Sequence, residues 1–313
     1  MKKYLIVFLL LFVSSFYNNV IKAAAQIPNE ALEGRWDITV NMGSSRAPSW
    51  LEVRHSGLRT LIGRFVGDGG SARPISQVFF KDGKLSFHIP PQWDNSDKDL
   101  YVEGELKDGK LLGTMTMPSG KTYTWTGVRA PKLWRDKEPV WGNSIVLFNG
   151  KNLDGWQALG DNQWIVENGI LKSPHSGSNI RTVKTFNDFK LHIEFRYPKE
   201  SNSGVYLRGR YEVQIIDSKG MEPLSIYLGG IYGFIDPLEM VAKGPGEWQS
   251  YDITLVGRLV TVIANGKTII YKQQIPGITG GALDSNEGEP GPIYMQGDHG
   301  PIDFRNIVIT PAK

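Results

Sequence analysis

The sequence predicts an all-β protein of two successive domains, a small antiparallel barrel or sandwich followed by a two-sheet jelly roll. Three observations carry this reading. Short β-branched and aromatic runs recur between Asp-Gly and Asn-Gly reversals, 36 glycines and nine tryptophans are spread along the 313 residues, and no long amphipathic helical pattern occurs.

The first element is an export signal. Lys2 and Lys3 precede the apolar run Tyr4–Val13, a polar patch Ser14–Asn19 follows, and Ala23-Ala24-Ala25 is a small-residue exit. Residues 1–25 therefore read as a signal peptide, with the mature chain starting near Gln26. The apolar run is about half of the ~20 residues that span a bilayer, and no later stretch is apolar enough either. The expectation is an exported protein, periplasmic or secreted, with no membrane anchor once the signal is removed.

Residues 30–130 form the first domain. Eight strands follow one another at Arg35–Asn41, Ser49–His55, Leu61–Val66, Ile75–Lys81, Lys84–Ile89, Leu100–Lys107, Lys110–Met117 and Thr122–Val128. Lys-Asp-Gly-Lys-Leu occurs at 81–85 and again at 107–111, each time as a tight reversal between two strands. Gly34-Arg35-Trp36 at the start is similar to the Gly-x-Trp opening of lipocalin-like barrels, and Trp36 plugging one end of a core is the simpler and preferred account of it. Two prolines, mixed charges and no periodicity mark residues 131–143 as a linker. That boundary implies that residues 144–313 fold and act alone.

The second domain, 144–313, carries a dozen strand-like segments. They are Ile145–Phe148, Trp164–Glu167, Ile170–Lys172, Phe189–Tyr197, Gly204–Leu207, Tyr211–Asp217, Ile231–Phe234, Trp248–Val256, Leu259–Ala264, Lys267–Tyr271, Ile293–Gln296 and Ile302–Thr310. In Phe189–Tyr197 the five apolar residues share one face and Lys190, His192, Glu194 and Arg196 share the other. One face packs between sheets and the other meets water or ligand.

Composition excludes several classes. The net charge of +3 disappears with the signal, because losing Lys2, Lys3 and Lys22 from 35 basic residues leaves 32 against 32 acids. No polyanionic partner is indicated, so nucleic acid is not expected. The absence of cysteine excludes a disulfide framework, a thiolate nucleophile, a Cys-ligated metal and a lipidated cysteine.

Six segments occur in one order: LFNGKNLDGW (147–156), WIVENGILKS (164–173), FNDFKLHIEFR (186–196), NSGVYLRGRYEVQIIDS (202–218), GGIYG (229–233) and MQGDHGPIDFRNI (295–307). Together they resemble the 3-keto-disaccharide hydrolase family, across nearly all of residues 145–311. The resemblance implies a concanavalin-like or laminarinase-like jelly roll. It also implies a carbohydrate substrate, a glycoside whose sugar is already oxidised at C3, and cleavage of its glycosidic bond.

Candidate site residues centre on Tyr211–Asp217. Glu212 and Gln214 share a strand face, and Asp217 joins them if a bulge sits at Ile215-Ile216. Retaining laminarinase-like glucanases use Glu-x-Asp-x-x-Glu at this spacing. This chain has Gln214 in place of the central Asp and Asp217 in place of the last Glu, which weakens displacement by paired carboxylates. Arg208 and Arg196 are donor forks for sugar hydroxyls or an enolate, with surface ion pairing as the alternative. The family resemblance supports Arg208.

His299 lies between glycines beside Asp298, which can fix its tautomer, and Gln296 ends the preceding strand. Tyr232 and Lys243 are assigned to the rim. A divalent metal ion remains open as a cofactor, with oxygen and imidazole ligands available from Glu212, Gln214, Asp217, Asp298 and His299 and none assigned.

A ketone at C3 acidifies the C2 proton, so a carboxylate or imidazole removes it and the enolate expels the C1 substituent, after which water adds. Glu212 and His299 are the base and the acid, in an order that spacing leaves open. Asp217 is a further catalytic candidate, and Arg208, Arg196 or a metal would stabilise the enolate. Two alternatives stand beside this reading. One is a non-catalytic carbohydrate-binding protein with Trp156, Trp164 and Tyr232 as stacking platforms. The other is a retaining glucanase using Glu212 and Asp217 on unoxidised glycans.

Overall fold

Alternation of inward and outward side chains rolls the first eight strands into a closed barrel. They are β1 (Gly34–Asn41), β2 (Arg46–Ser56), β3 (Thr60–Val66), β4 (Arg73–Lys81), β5 (Lys84–Ile89), β6 (Leu100–Lys107), β7 (Lys110–Thr116) and β8 (Thr122–Arg129). This computed structural model describes residues 31–91 and 95–313, and the predicted signal at 1–25 lies outside them. Each strand pairs with the next, and β8 closes on β1. The repeated Lys-Asp-Gly-Lys-Leu segments are tight hairpins. Asp82 and Gly83 have φ of 52° and 79°, and Asp108 and Gly109 have 50° and 74°, the left-handed pair that suits the twist of a two-residue reversal. Trp36 is fully buried in the barrel core, donates its indole N–H to the Leu32 carbonyl at 2.9 Å, and is covered by the Arg129 guanidinium 3.8 Å from the ring centre.

The rest of the chain forms two sheets around a second core. Its strands begin with β9 (Ile145–Val146), β10 (Trp156–Ala158), β11 (Ile165–Glu167), β12 (Ile170–Ser173), β13 (Ile180–Thr182) and β14 (Phe189–Arg196). They continue with β15 (Asn202–Leu207), β16 (Tyr211–Ile216), β17 (Gln249–Val256), β18 (Leu259–Ala264), β19 (Lys267–Gln274), β20 (Tyr294–Met295) and β21 (Ile302–Pro311). One sheet has the order β10-β13-β20-β15-β16, and the other runs β11-β12-β21-β14-β17-β18-β19 with β9 beside β21. Phe189, Leu191, Ile193 and Phe195 of one sheet meet Val205, Leu207, Val213 and Ile215 of the other. Each fully buried side chain of this kind contributes about 1.5–3 kcal/mol.

Two strands escape the sequence pattern. At three residues each, β10 and β13 are too short to show alternation, and neither is joined to a paired strand by a hairpin reversal such as Asn168-Gly169, which marks the equally short β11. Conversely, Ile231–Phe234 is not a strand. Its glycine-rich approach lays single backbone bonds along the free edge of β16, from Gln214 N–H to the Gly230 carbonyl at 3.0 Å and from Tyr232 N–H to the Glu212 carbonyl at 3.1 Å.

The barrel docks on the two sheets through its outer wall. Asp37, Trp50 and Val66 lie in one register row and point away from the barrel interior. All three are nevertheless buried, and Trp50 and Val66 belong to the core of the two sheets. Trp50 meets Phe234 edge-on at 5.3 Å, and Gly277 packs so closely that a Cβ there would lie 2.2 Å from the indole. Ser285 donates its hydroxyl to the Ile38 carbonyl. Burial, together with the charge of Glu287, pushes the Asp37 carboxyl well above the ordinary carboxylate range.

Candidate active site

Strand parity builds the site. Tyr211, Val213 and Ile215 point into the core, so Glu212 and Gln214 emerge on the other face of the five-stranded sheet. The same logic brings Gly204 and Tyr206 out of β15, Tyr294 and Gln296 out of β20 and its end, and Arg181 out of β13. Register then aligns Glu212, Tyr206, Tyr294, Arg181 and Gln157 in one row across five strands. Gly204 has no side chain where the row needs room, since a Cβ there would lie 2.3 Å from Glu212 Oε1.

The two contacts of the Tyr206 hydroxyl fit a proton on Glu212. The Tyr206 hydroxyl lies 2.9 Å from Glu212 Oε2 and 3.0 Å from the Gly280 carbonyl. A phenol has one proton and a carbonyl only accepts. Both contacts are satisfied when Tyr206 donates to Gly280 and a protonated Glu212 donates to Tyr206. Electrostatics agree, as burial pushes the Glu212 carboxyl up to about 8 and the Asp298 charge adds to it, while a Tyr206 hydroxyl turned to donate to the carboxylate would oppose both. Glu212 is 3% exposed, so little water competes for that proton.

The open side of the row holds a second group. Asn179 donates to the Tyr294 hydroxyl at 2.6 Å and to Asp298 Oδ2 at 3.2 Å, while its own carbonyl accepts from the Gly297 and Asp298 amides at 2.7 and 3.1 Å. Asp298 Oδ1 lies 2.6 Å from His299 Nδ1. That bond raises His299 above the ordinary imidazole value against the opposing effect of burial. Burial pushes Asp298 upward, and the bonds from His299 and Asn179 outweigh it, holding the carboxyl below the usual range. The side-chain oxygens of Gln296 and Asn202 are buried without a protein partner. Two such acceptors on a binding face suit a ligand rich in hydroxyl donors.

Of the predicted site residues, Glu212, Gln214, Gln296 and Tyr232 come together on this face, and His299 reaches it through Asp298 and Asn179. Tyr232 lies against Glu212, and burial and that neighbouring carboxyl both raise its phenol. Four others lie elsewhere. Asp217 does not join Glu212, because β15 and β16 pair in unbroken register and the bulge at Ile215-Ile216 is absent. Its carboxylate instead accepts from the Glu200 amide at 3.1 Å. Arg208 is a hairpin-turn residue at φ 53° whose guanidinium is buried, donating to the Tyr211 hydroxyl at 3.0 Å and the Gly257 carbonyl at 2.9 Å. Arg196 leaves the opposite face of the sandwich, pairs with Asp303 at 2.8 Å and stacks on Trp248. Lys243 donates to the Trp248 carbonyl within its own loop.

Trp156 and Trp164 are buried, with indole N–H groups bonded to the Leu147 and Ser178 carbonyls, so neither is a stacking platform. Tyr206, Tyr294, Asn179 and Arg181 are the residues that sequence reasoning missed. Strand parity on Gly204–Leu207 and Ile293–Gln296 carries the signal for the two tyrosines. Among the described residues no group of three or more His, Asp or Glu is gathered as a metal site. A cavity of about 220 Å³ lies in the barrel mouth, lined by Phe65, Gly67, Met115 and Tyr123, and no residue of the Glu212 row borders it.

The profile of the 3-keto-alpha-glucoside-1,2-lyase-like domain matches residues 143–310, just over half of the chain. Among solved structures, a candidate glycosyl hydrolase from Parabacteroides distasonis is 30% identical over 58% of this chain and 96% of its own, with a TM-score of 0.45. A second from that organism is 27% identical over 54% of this chain and 98% of its own, at 0.43. Bacillus licheniformis β-glucanase is 14% identical over 55% and 99%, at 0.35. No curated protein matches the chain. The family match, extending from β9 into β21 and including every residue of the Glu212 row, places the chain in the 3-keto-alpha-glucoside-1,2-lyase-like family.

Proposed function

We propose that the protein cleaves the glycosidic bond of 3-keto-glycosides, 3-keto-disaccharides among them, by elimination and rehydration. His299, held by Asp298, takes the C2 proton, and the electrons of that bond form the enolate of the C3 ketone. Collapse of the enolate breaks the C1–O bond and leaves a C1=C2 enone. The departing oxygen takes the proton from Glu212. Water then adds at C1 with Glu212 as base, and the half-exposed imidazolium, having exchanged its proton with solvent, returns a solvent-derived proton to C2, so both groups end as they began. Tyr294, whose oxygen already accepts from Asn179, has its own proton to offer the developing enolate, and Arg181 is the nearby cation.

The single observation that carries this reading is the chain Glu212–Tyr206–Gly280, which supports a protonated acid at neutral pH beside an imidazole made more basic by Asp298. Residues 1–25, read as a signal peptide, add that the reaction runs in the periplasm or outside the cell. The test is turnover of a plain disaccharide against its 3-keto form. Turnover of the keto form alone supports the proposal. Turnover of the plain sugar favours a glucanase, and turnover of neither favours a binding protein.

A further inference from the structure

The first eight strands lie outside the family match, yet their β3–β4 loop, Gly67–Ala72, reaches the wall of the Glu212 row. Gly281 donates its amide to the Asp68 carbonyl at 2.9 Å. Three glycines permit the approach, because a Cβ would lie 2.1 Å from the Gly70 carbonyl at Gly280, 2.4 Å from the Tyr206 hydroxyl at Gly281, and 2.8 Å from the Ala72 amide at Gly233. Gly70, Gly233 and Gly281 all have positive φ. The peptide clamped between the barrel loop and Tyr206 is the one whose carbonyl accepts the Tyr206 proton. Gly233 follows Tyr232, so the same loop also backs the tyrosine beside Glu212.

We propose that the β3–β4 loop of the barrel is a working wall of the site, seating the Gly280-Gly281 peptide and thereby positioning the Tyr206–Glu212 pair. This rests on the reading of Glu212 as the acid. It also revises the expectation that residues 144–313 act alone, since the seat of that peptide belongs to the barrel. The groups around Glu212 are Tyr206, Asp298, Tyr294, Tyr232 and Tyr251, none of them on the barrel. The loop acts on Glu212 through Tyr206. If the peptide withdraws, the Tyr206 proton turns to Glu212 and water enters, and both changes favour the carboxylate.

The experiment is a carbon-13 titration of the Glu212 carboxyl in the full chain, assigned by its loss in Glu212→Gln. Gly70→Val places a β-branched residue at φ 77° and displaces the loop. Its Glu212 midpoint is expected to fall by at least about one pH unit relative to wild type. Gly69→Ala, at a position with nothing within 4 Å, leaves the midpoint unchanged. Coincident midpoints in wild type and a folded Gly70→Val protein would overturn the proposal. Should Gly70→Val fail to fold, amide exchange of Gly281 in the wild-type chain decides: protection supports the clamp, and exchange at an open-loop rate overturns it. Neither readout uses substrate, so failure of 3-keto turnover leaves this result standing, and the reverse holds too.

Discussion

Replacing Glu212 by Gln separates the catalytic role proposed for this residue from its effect on stability. The amide N–H₂ donates to Tyr206 as the protonated acid does, so the chain to Gly280 is preserved and the fold tolerates the change. In wild type the folded carboxyl titrates at about 8 and the unfolded one near 4.5. Between those values the unfolded chain has lost its proton and the folded chain keeps it, so wild-type stability falls as pH rises through the window. The shift corresponds to at most about 5 kcal/mol. Gln has no proton to lose. Urea unfolding by tryptophan fluorescence, repeated from pH 4 to pH 9, should show the stability difference moving toward the variant by up to that amount. Other titrating groups cancel in the difference. Turnover should fall by ~100-fold or more, the usual cost of losing a positioned acid. A difference flat in pH would mean that Glu212 is ionised in the folded chain, and the proton assignment would be wrong.

Other perturbations follow from the same geometry. His299→Asn should lower turnover by ~100-fold with little change in unfolding midpoint, because the side chain is half exposed. Asp298→Asn removes the partner that raises His299, so the acid limb of the pH–rate profile should move to lower pH; an unmoved limb would dissociate His299 from that limb. The alkaline limb should fall as pH rises through about 8, where Glu212 loses its proton. Arg196→Ala, on the opposite face, should leave turnover intact and cost less than ~1 kcal/mol in a urea melt. Trp50→Ala should destabilise the chain by ~3–5 kcal/mol, since it removes a side chain shared between the barrel and the two-sheet core.

All eight barrel strands are visible in the sequence, because each runs six residues or more and all but the β5–β6 pair are joined through a glycine-containing turn. The strand Tyr211–Ile216 is legible for the same reason, and with it the outward Glu212 and Gln214. Asp217 was misplaced because a bulge is a local departure from period two that no spacing announces. Arg208 was misread because Leu-Arg-Gly is also a hairpin turn, and the buried Glu287, which bonds Tyr211 and helps draw the guanidinium inward, lies 79 residues further along the chain. Tyr206 and Tyr294 were overlooked although parity marks them, because aromatic residues in strands usually read as core. The part played by Gly280 depends on a barrel loop more than two hundred residues earlier, which is a tertiary fact beyond the reach of a local pattern.

The central claim is that the C2–H bond breaks during cleavage. The measurement that tests it is the deuterium content at C2 of the 3-keto-sugar released in heavy water, read by mass spectrometry and corrected with free product incubated alongside the enzyme. Elimination and rehydration predict deuterium at C2 in the released sugar from the first turnovers. Retention of the original hydrogen at C2, with the glycosidic bond cleaved, would contradict the account and make Glu212 a group acting at C1.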